Sequence, residues 1–250
     1  MAMGVAVACV LTLAVNVAML LLAPSFTFQS SFSHDEDYGV PVVREVIPGP
    51  EGAELEVLTV QGPEGAPVLV YFHGNKGRLA YILRDASRYA TVISPAYPGY
   101  SRSTGKPSVA AIEGTVDAVL HWLHGRGMRD ADLRVLGHSM GGYPALYAAV
   151  HYPELRRVFL VNTFHSMRRM CQHRMGAAGC LLTGGFLNSA ALAPLARAPI
   201  RQFHSTQDEL IPFGDGKELF GLLGSADKAF GPISGIHREF NVDWVLGGGL

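Results

Sequence analysis

Three residue types in a fixed order raise the possibility of covalent chemistry. A serine lies in Gly137-His138-Ser139-Met140-Gly141-Gly142, an aspartate in Gln207-Asp208-Glu209-Leu210-Ile211-Pro212, and a histidine in Ser234-Gly235-Ile236-His237. A serine hydroxyl is a weak nucleophile until a base takes its proton and an acid orients that base. Where the serine sits on a sharp strand-to-helix turn, its partners follow in the order Asp or Glu, then His. His237 is the sole histidine beyond residue 204, so it is the expected base. Asp208 follows the apolar run Ile200 to His204 and precedes a turn, a place where a carboxylate can meet a histidine at a sheet edge. Glu209, Asp215 and Asp227 also lie between Ser139 and His237. Of these, Asp215 falls at a Gly-flanked helix start where an acidic residue is ordinary. Acyl transfer also needs donors for the developing oxyanion. The backbone N–H of Asn75, in His73-Gly74-Asn75, and that of Met140 are the expected pair. His73 precedes Ser139 and is expected to make structural hydrogen bonds.

The serine pattern is weak alone: with 29 Gly in 250 residues, composition by itself yields roughly 0.2 matches. Its setting strengthens it. Apolar runs at Leu55–Val60, Val68–Phe72, Thr91–Ser94, Leu133–Leu136, Val158–Val161 and Ile200–His204 predict strands. Helical patterns at Leu79–Tyr89, Val109–His124 and Met140–Val150 lie between them. This alternation predicts an α/β fold, a doubly wound and mostly parallel sheet covered on both faces. Ser139 then lies between a strand and a helix, and His73 directly follows another strand. The stretch Thr163 to Pro199 is long for a crossover and predicts a lid insertion at about 163–199.

Composition narrows the setting. The chain is 48% hydrophobic with 20 basic and 21 acidic residues, enough for a sizeable core and without the basic excess that nucleic acid demands. No Asp, Glu, Lys or Arg occurs before residue 34, and Gly4 to Ala23 is almost wholly apolar. That length spans a bilayer and exceeds a secretory signal's apolar segment. Residues 1–23 are therefore expected to be a retained single-pass anchor, 24–39 a juxtamembrane linker, and 40–250 the catalytic domain. The first basic residue is Arg44, so orientation is not encoded near the span. Cys9, Cys171 and Cys180 do not make a disulfide framework, and two buried thiols are expected at Cys171 and Cys180. Between Leu155 and Gln207 there are seven arginines and no Asp or Glu. Arg168, Arg169 and Arg174 are expected to face anionic headgroups from the lid.

Together His73-Gly74-Asn75, Tyr97-Pro98-Gly99-Tyr100-Ser101-Arg102-Ser103-Thr104-Gly105-Lys106-Pro107-Ser108, the Ser139 turn, Asp208-Glu209-Leu210-Ile211-Pro212 and Gly235-Ile236-His237 resemble the α/β-hydrolase superfamily. More narrowly they resemble its membrane-anchored Bem46-like branch, over about residues 40 to 245. The resemblance implies a cofactor-free serine hydrolase acting on acylglycerol, lysophospholipid or S-acyl protein at a bilayer. A catalytically silent interaction module and a serine peptidase are the alternatives. Three departures stand out: Lys76-Gly77-Arg78 after His-Gly-Asn, Arg238-Glu239 after the histidine, and Ser101 where glycine is common.

Overall fold

The computed structural model describes residue 28 and residues 37–75, 79–176 and 186–247. The expected anchor, Lys76-Gly77-Arg78, the middle of the expected lid, Cys9 and Cys180 lie outside the described residues. Among the described residues no helix is long and apolar enough to cross a membrane.

Among the described residues eight strands form one sheet: β1 (Val43–Pro48), β2 (Glu54–Val60), β3 (Val68–Phe72), β4 (Thr91–Pro95), β5 (Leu133–His138), β6 (Arg157–Val161), β7 (Ile200–Ser205) and β8 (Lys228–Ile233). Their order is β1-β2-β4-β3-β5-β6-β7-β8. β2 pairs antiparallel with β1 and with β4, and every other pairing is parallel. Between and after the strands lie α1 (Leu79–Ala86), α2 (Val109–His124), α3 (Gly142–His151), α4 (Met167–Met175), α5 (Ser189–Leu192), α6 (Phe213–Leu222) and α7 (Val242–Leu246).

The apolar runs become strands because both sheet faces are buried. In β3, Val70 and Phe72 enter the core beneath α2 and α3, with Ile112, Val116, Leu120 and Leu146. Leu69 and Tyr71 point the other way, toward Ile82 and Leu83 of α1 and Val242 and Val245 of α7. Alternate residues thus feed opposite cores, so the strand reads as a continuous apolar run.

The structure alters several expectations. β1 was not anticipated because Val43-Arg44-Glu45-Val46 mixes charge with apolar residues; it is an edge strand with Val43 60% and Val46 66% exposed. The helix expected to reach Tyr89 ends at Ala86, and the helix expected from Met140 starts at Gly142, after a 3-10 turn over Ser139–Gly141. Phe28 and Tyr38, both in the expected linker, are buried, one in each core.

A buried carboxylate braces the antiparallel side. Glu56 of β2 is 3% exposed, pairs with Arg44 of β1 at 2.6 Å, and accepts from the Ser101 hydroxyl at 2.5 Å. Burial opposes its ionisation, but the hydroxyl of Ser101 and the guanidinium of Arg44 outweigh this and hold the carboxyl below its usual range. Ser101 adopts a φ of 50°, the left-handed conformation that explains why glycine suits this position; its contact with Glu56 accompanies the replacement. The same loop carries Tyr97, whose hydroxyl donates to the His73 carbonyl at 3.0 Å, and Tyr100, which donates to Asn75 Oδ1 at 2.6 Å. Glu56→Ala is expected to lower the unfolding free energy by about 2–4 kcal/mol, through loss of charge-assisted hydrogen bonds. Urea denaturation of the two proteins checks this, and an unchanged midpoint would contradict the bracing role.

Candidate active site

Ser139 leaves the end of β5 with a φ of 55°, a conformation uncommon for a residue bearing a Cβ. The turn is forced tight by what surrounds it. A methyl group at Gly137 would strike the Gly141 carbonyl and the Ala145 side chain, and one at Gly141 would strike the Phe72 carbonyl of β3. Glycine at both positions therefore allows α3 to fold back against the sheet, with the serine at the turn's apex. The Ser139 Cβ lies close to Gly74, where an added Cβ would be 3.2 Å from it.

Parallel strands bring the three expected residues to one edge. β5 leads into Ser139, β7 into Asp208 and β8 into His237. His237 Nε2 is 2.9 Å from Ser139 Oγ, and its Nδ1 is 2.8 Å from Asp208 Oδ2. The Asp208 side chain is fully buried, and its Oδ1 accepts from the N–H groups of Leu210 at 2.9 Å and Ile211 at 2.8 Å. Burial raises its pKa, yet the His237 bond and these backbone donors leave the net shift downward. An ionised carboxylate only accepts. The proton shared with it therefore sits on His237 Nδ1, which leaves Nε2 to accept from the Ser139 hydroxyl.

Around this line the structure adds residues that the sequence analysis did not single out. Asn162, just past β6, accepts from Ser205 N–H at 2.7 Å and donates to the His237 carbonyl at 3.0 Å. His138 Nε2 donates to that same carbonyl at 2.9 Å. Glu209 accepts from the His237 backbone N–H at 2.9 Å. The histidine loop is thus held by its own peptide groups, leaving the imidazole for Asp208 and Ser139. The available signal for Asn162 was its place directly after an apolar strand whose neighbour carries Ser139.

The remaining acidic candidates go elsewhere. Asp215, in the first turn of α6, pairs with Arg169 at 3.0 Å and His173 at 3.2 Å, and Asp227 pairs with Arg201 at 2.7 Å. Arg169 also contacts Glu218. Two carboxylates of α6 thus engage Arg169, which joins α4 to the main domain. Arg168 is exposed, and the Arg174 side chain lies outside the described residues.

Asn75 follows the Gly74 that borders Ser139, and Met140 is buried in the turn after it. The first N–H groups of a helical segment have no intrahelical acceptor, so the Met140 amide belongs to the set available to an anion. His73 is buried, packs against Tyr97 with the rings tilted and their centroids 4.4 Å apart, and makes a 2.8 Å contact with the Gly74 carbonyl through Nδ1. Among the described residues no group of three or more His, Cys, Asp or Glu is arranged to hold a metal ion.

The chain has recognisable relatives. A family model for the alpha/beta hydrolase fold matches residues 67–176. Protein bem46 of Schizosaccharomyces pombe is 26% identical over 245 residues, which cover 86% of this chain and 82% of that protein. Alpha/beta hydrolase domain-containing protein 17B of Xenopus laevis is 29% identical over 164 residues, 63% of this chain and 56% of that one. A Pyrococcus furiosus esterase shares the fold, with a TM-score of 0.70 at 12% identity over 84% of this chain and 88% of its own.

The buried rings make stability sensitive to acid. Burial lowers His73 to about 4; burial first, and then the neighbouring His237, lowers His138 to about 3, both from an ordinary 6.5. Burial also lowers His204. The unfolded chain would protonate these rings below 6.5 while the folded one resists until near 4 or 3, so unfolding takes up protons in that window. Stability should be complete above it and fall as pH drops through it, by up to about 1.4 kcal/mol per pH unit for each fully shifted ring. Urea midpoints measured from pH 7 to pH 4 test this, and a flat profile would contradict it.

Proposed function

We propose that the chain is a serine hydrolase of the α/β-hydrolase superfamily, in its Bem46-like branch, cleaving ester or thioester bonds of lipid-like substrates through an acyl-enzyme. The hydrogen-bonded series Ser139, His237, Asp208 carries this reading, at 2.9 and 2.8 Å. Ser139 Oγ attacks the acyl carbonyl carbon as His237 Nε2 takes the hydroxyl proton. The carbonyl electron pair moves onto oxygen, where the backbone N–H groups of Asn75 and Met140 stabilise it. Collapse expels the alcohol or thiol, which takes its proton from His237. Water then attacks the acyl-serine by the same path, giving the carboxylic acid and restoring Ser139. Asp208 remains ionised and holds the imidazole in the required tautomer.

The substrate class rests on two supports. Residues 1–23 have the length and apolarity of a bilayer anchor, and the Bem46-like branch is one of lipid and acyl-protein hydrolases. The structural relative from Pyrococcus furiosus is an esterase. Residues 163–199 leave β6 beside the serine turn and are read as a cover over the acyl site, latched through Arg169 to α6.

Ser139→Ala is expected to abolish both fluorophosphonate labelling and ester turnover while leaving the unfolding midpoint near wild type. Asp208→Asn should lower kcat by about 10⁴, the scale of losing the orienting acid. Glu209→Gln retains an acceptor for the His237 N–H, so it should lower kcat far less. A fluorophosphonate-inert wild type would instead identify a silent hydrolase fold, and turnover confined to a peptide panel would identify a peptidase.

A further inference from the structure

The opposite edge of the sheet carries a second feature, unrelated to the serine. Arg134, Arg156, Arg157 and Arg201 line one cavity of about 280 Å³. Three of them come from the starts of parallel strands. Arg134 of β5 and Arg157 of β6 are Cα partners, and Arg201 of β7 is the partner of Phe159, two residues beyond Arg157. Side chains two apart on a strand, or registered across parallel strands, share a face. All three guanidinium stems therefore rise from the face that α7 covers. Phe159, Phe203 and Val245 form the apolar floor.

This cluster carries more guanidinium than carboxylate. Arg201 pairs with Asp227 at 2.7 Å. The side chains of Arg134, Arg156 and Arg157 make no ion pair or hydrogen bond among the described residues. Arg201 Nε is also buried without a partner. Among the described residues the one carboxylate paired within this group of four guanidinium groups is Asp227, and like charges registered across strands destabilise a sheet. Burial depresses the pKa of Arg134, and repulsion from Arg156 adds to it; Arg157 is depressed by burial and then by Arg201.

We propose that this cavity binds a compact organic phosphate carrying two or more negative charges. The guanidinium fork matches phosphate oxygens two at a time. Four arginines against Asp227 leave three positive charges, and a phosphate monoester brings about two negative charges to offset them. A cavity of about 280 Å³ lies at the small end of ligand pockets, and its Phe159 and Phe203 floor accepts the organic part. Arg134 and Ser139 are separated by roughly 17 Å of strand, at about 3.3 Å per residue, so the site is distinct from the serine edge. The assignment does not depend on the hydrolase reading.

The test compares the full-length chain with the double variant Arg134→Gln, Arg157→Gln at constant ionic strength. Pyrophosphate and inositol trisphosphate serve as soluble probes. Phosphatidylcholine vesicles with and without phosphatidylinositol bisphosphate serve as the membrane probe. Without ligand the variant should melt higher, because two mutually repelling charges are gone. With saturating pyrophosphate the order should reverse, and calorimetry should show probe affinity weakened by at least about tenfold in the variant. Binding of the soluble probes alone identifies a free phosphate ligand. Added retention on bisphosphate vesicles, lost in the variant, identifies a lipid headgroup. Equal melting shifts in both proteins, or no saturable binding of any probe to wild type, would overturn the proposal.

Discussion

A serine held at a φ of 55° between strand and helix persists because its surroundings leave no other path. Such a conformation costs on the order of 1–3 kcal/mol, and the close approaches at Gly137 and Gly141 show where it is offset. α3 lies against β5 only if neither position has a side chain, and β3 closes the remaining side through the Phe72 carbonyl. The 3-10 turn, the start of α3 and the proximity of Gly74 all follow from this packing. A looser turn would still place a serine at the sheet edge, but without a fixed direction for its hydroxyl.

The polar groups behind that turn are divided by task. Asp208 faces the imidazole, Glu209 the His237 amide, and Asp215 and Asp227 arginines elsewhere in the chain. His138 and Asn162 converge on one carbonyl oxygen, that of His237. This matters because a histidine must keep its ring orientation while its proton content changes. Bonds to its backbone are indifferent to that change, whereas a second bond to its ring would compete with the serine. The buried neutral rings of His73 and His138 fill the space around the site without adding a positive charge.

Much of this arrangement is legible in the sequence, for identifiable reasons. The central strands are buried on both faces, so Val68–Phe72 and Leu133–Leu136 stand out as unbroken apolar runs, and the turns that follow them carry His73 and Ser139. Asp208 follows a similar run, Ile200–His204, whereas His237 is visible only as the sole histidine beyond residue 204, since the strand before it mixes Lys228, Gly231 and Pro232 with apolar residues. β1 was invisible because an edge strand with one solvated side needs no apolar continuity. Asn162 was missed because its role depends on β6 lying between β5 and β7, a fact of sheet order that local pattern does not encode. The arginine-rich stretch was noticed, but its charges divide by topology: Arg169 turns to α6, while Arg157 and Arg201 meet Arg134 from a distant part of the chain.

The open margin of the sheet at β8 has a consequence for behaviour in concentrated solution. The carbonyls of Asp227 and Ile233 accept from β7 and its following turn, and backbone groups in a parallel ladder face alternate sides. Lys228, Phe230 and Pro232 therefore direct their main-chain groups outward. At Pro232 there is no N–H to offer, and its exposed ring occupies the space where another strand would dock. A chain seeking to extend the sheet meets a missing donor at the end of the row. That interruption discourages edge-to-edge addition and the fibrous aggregation that grows from it.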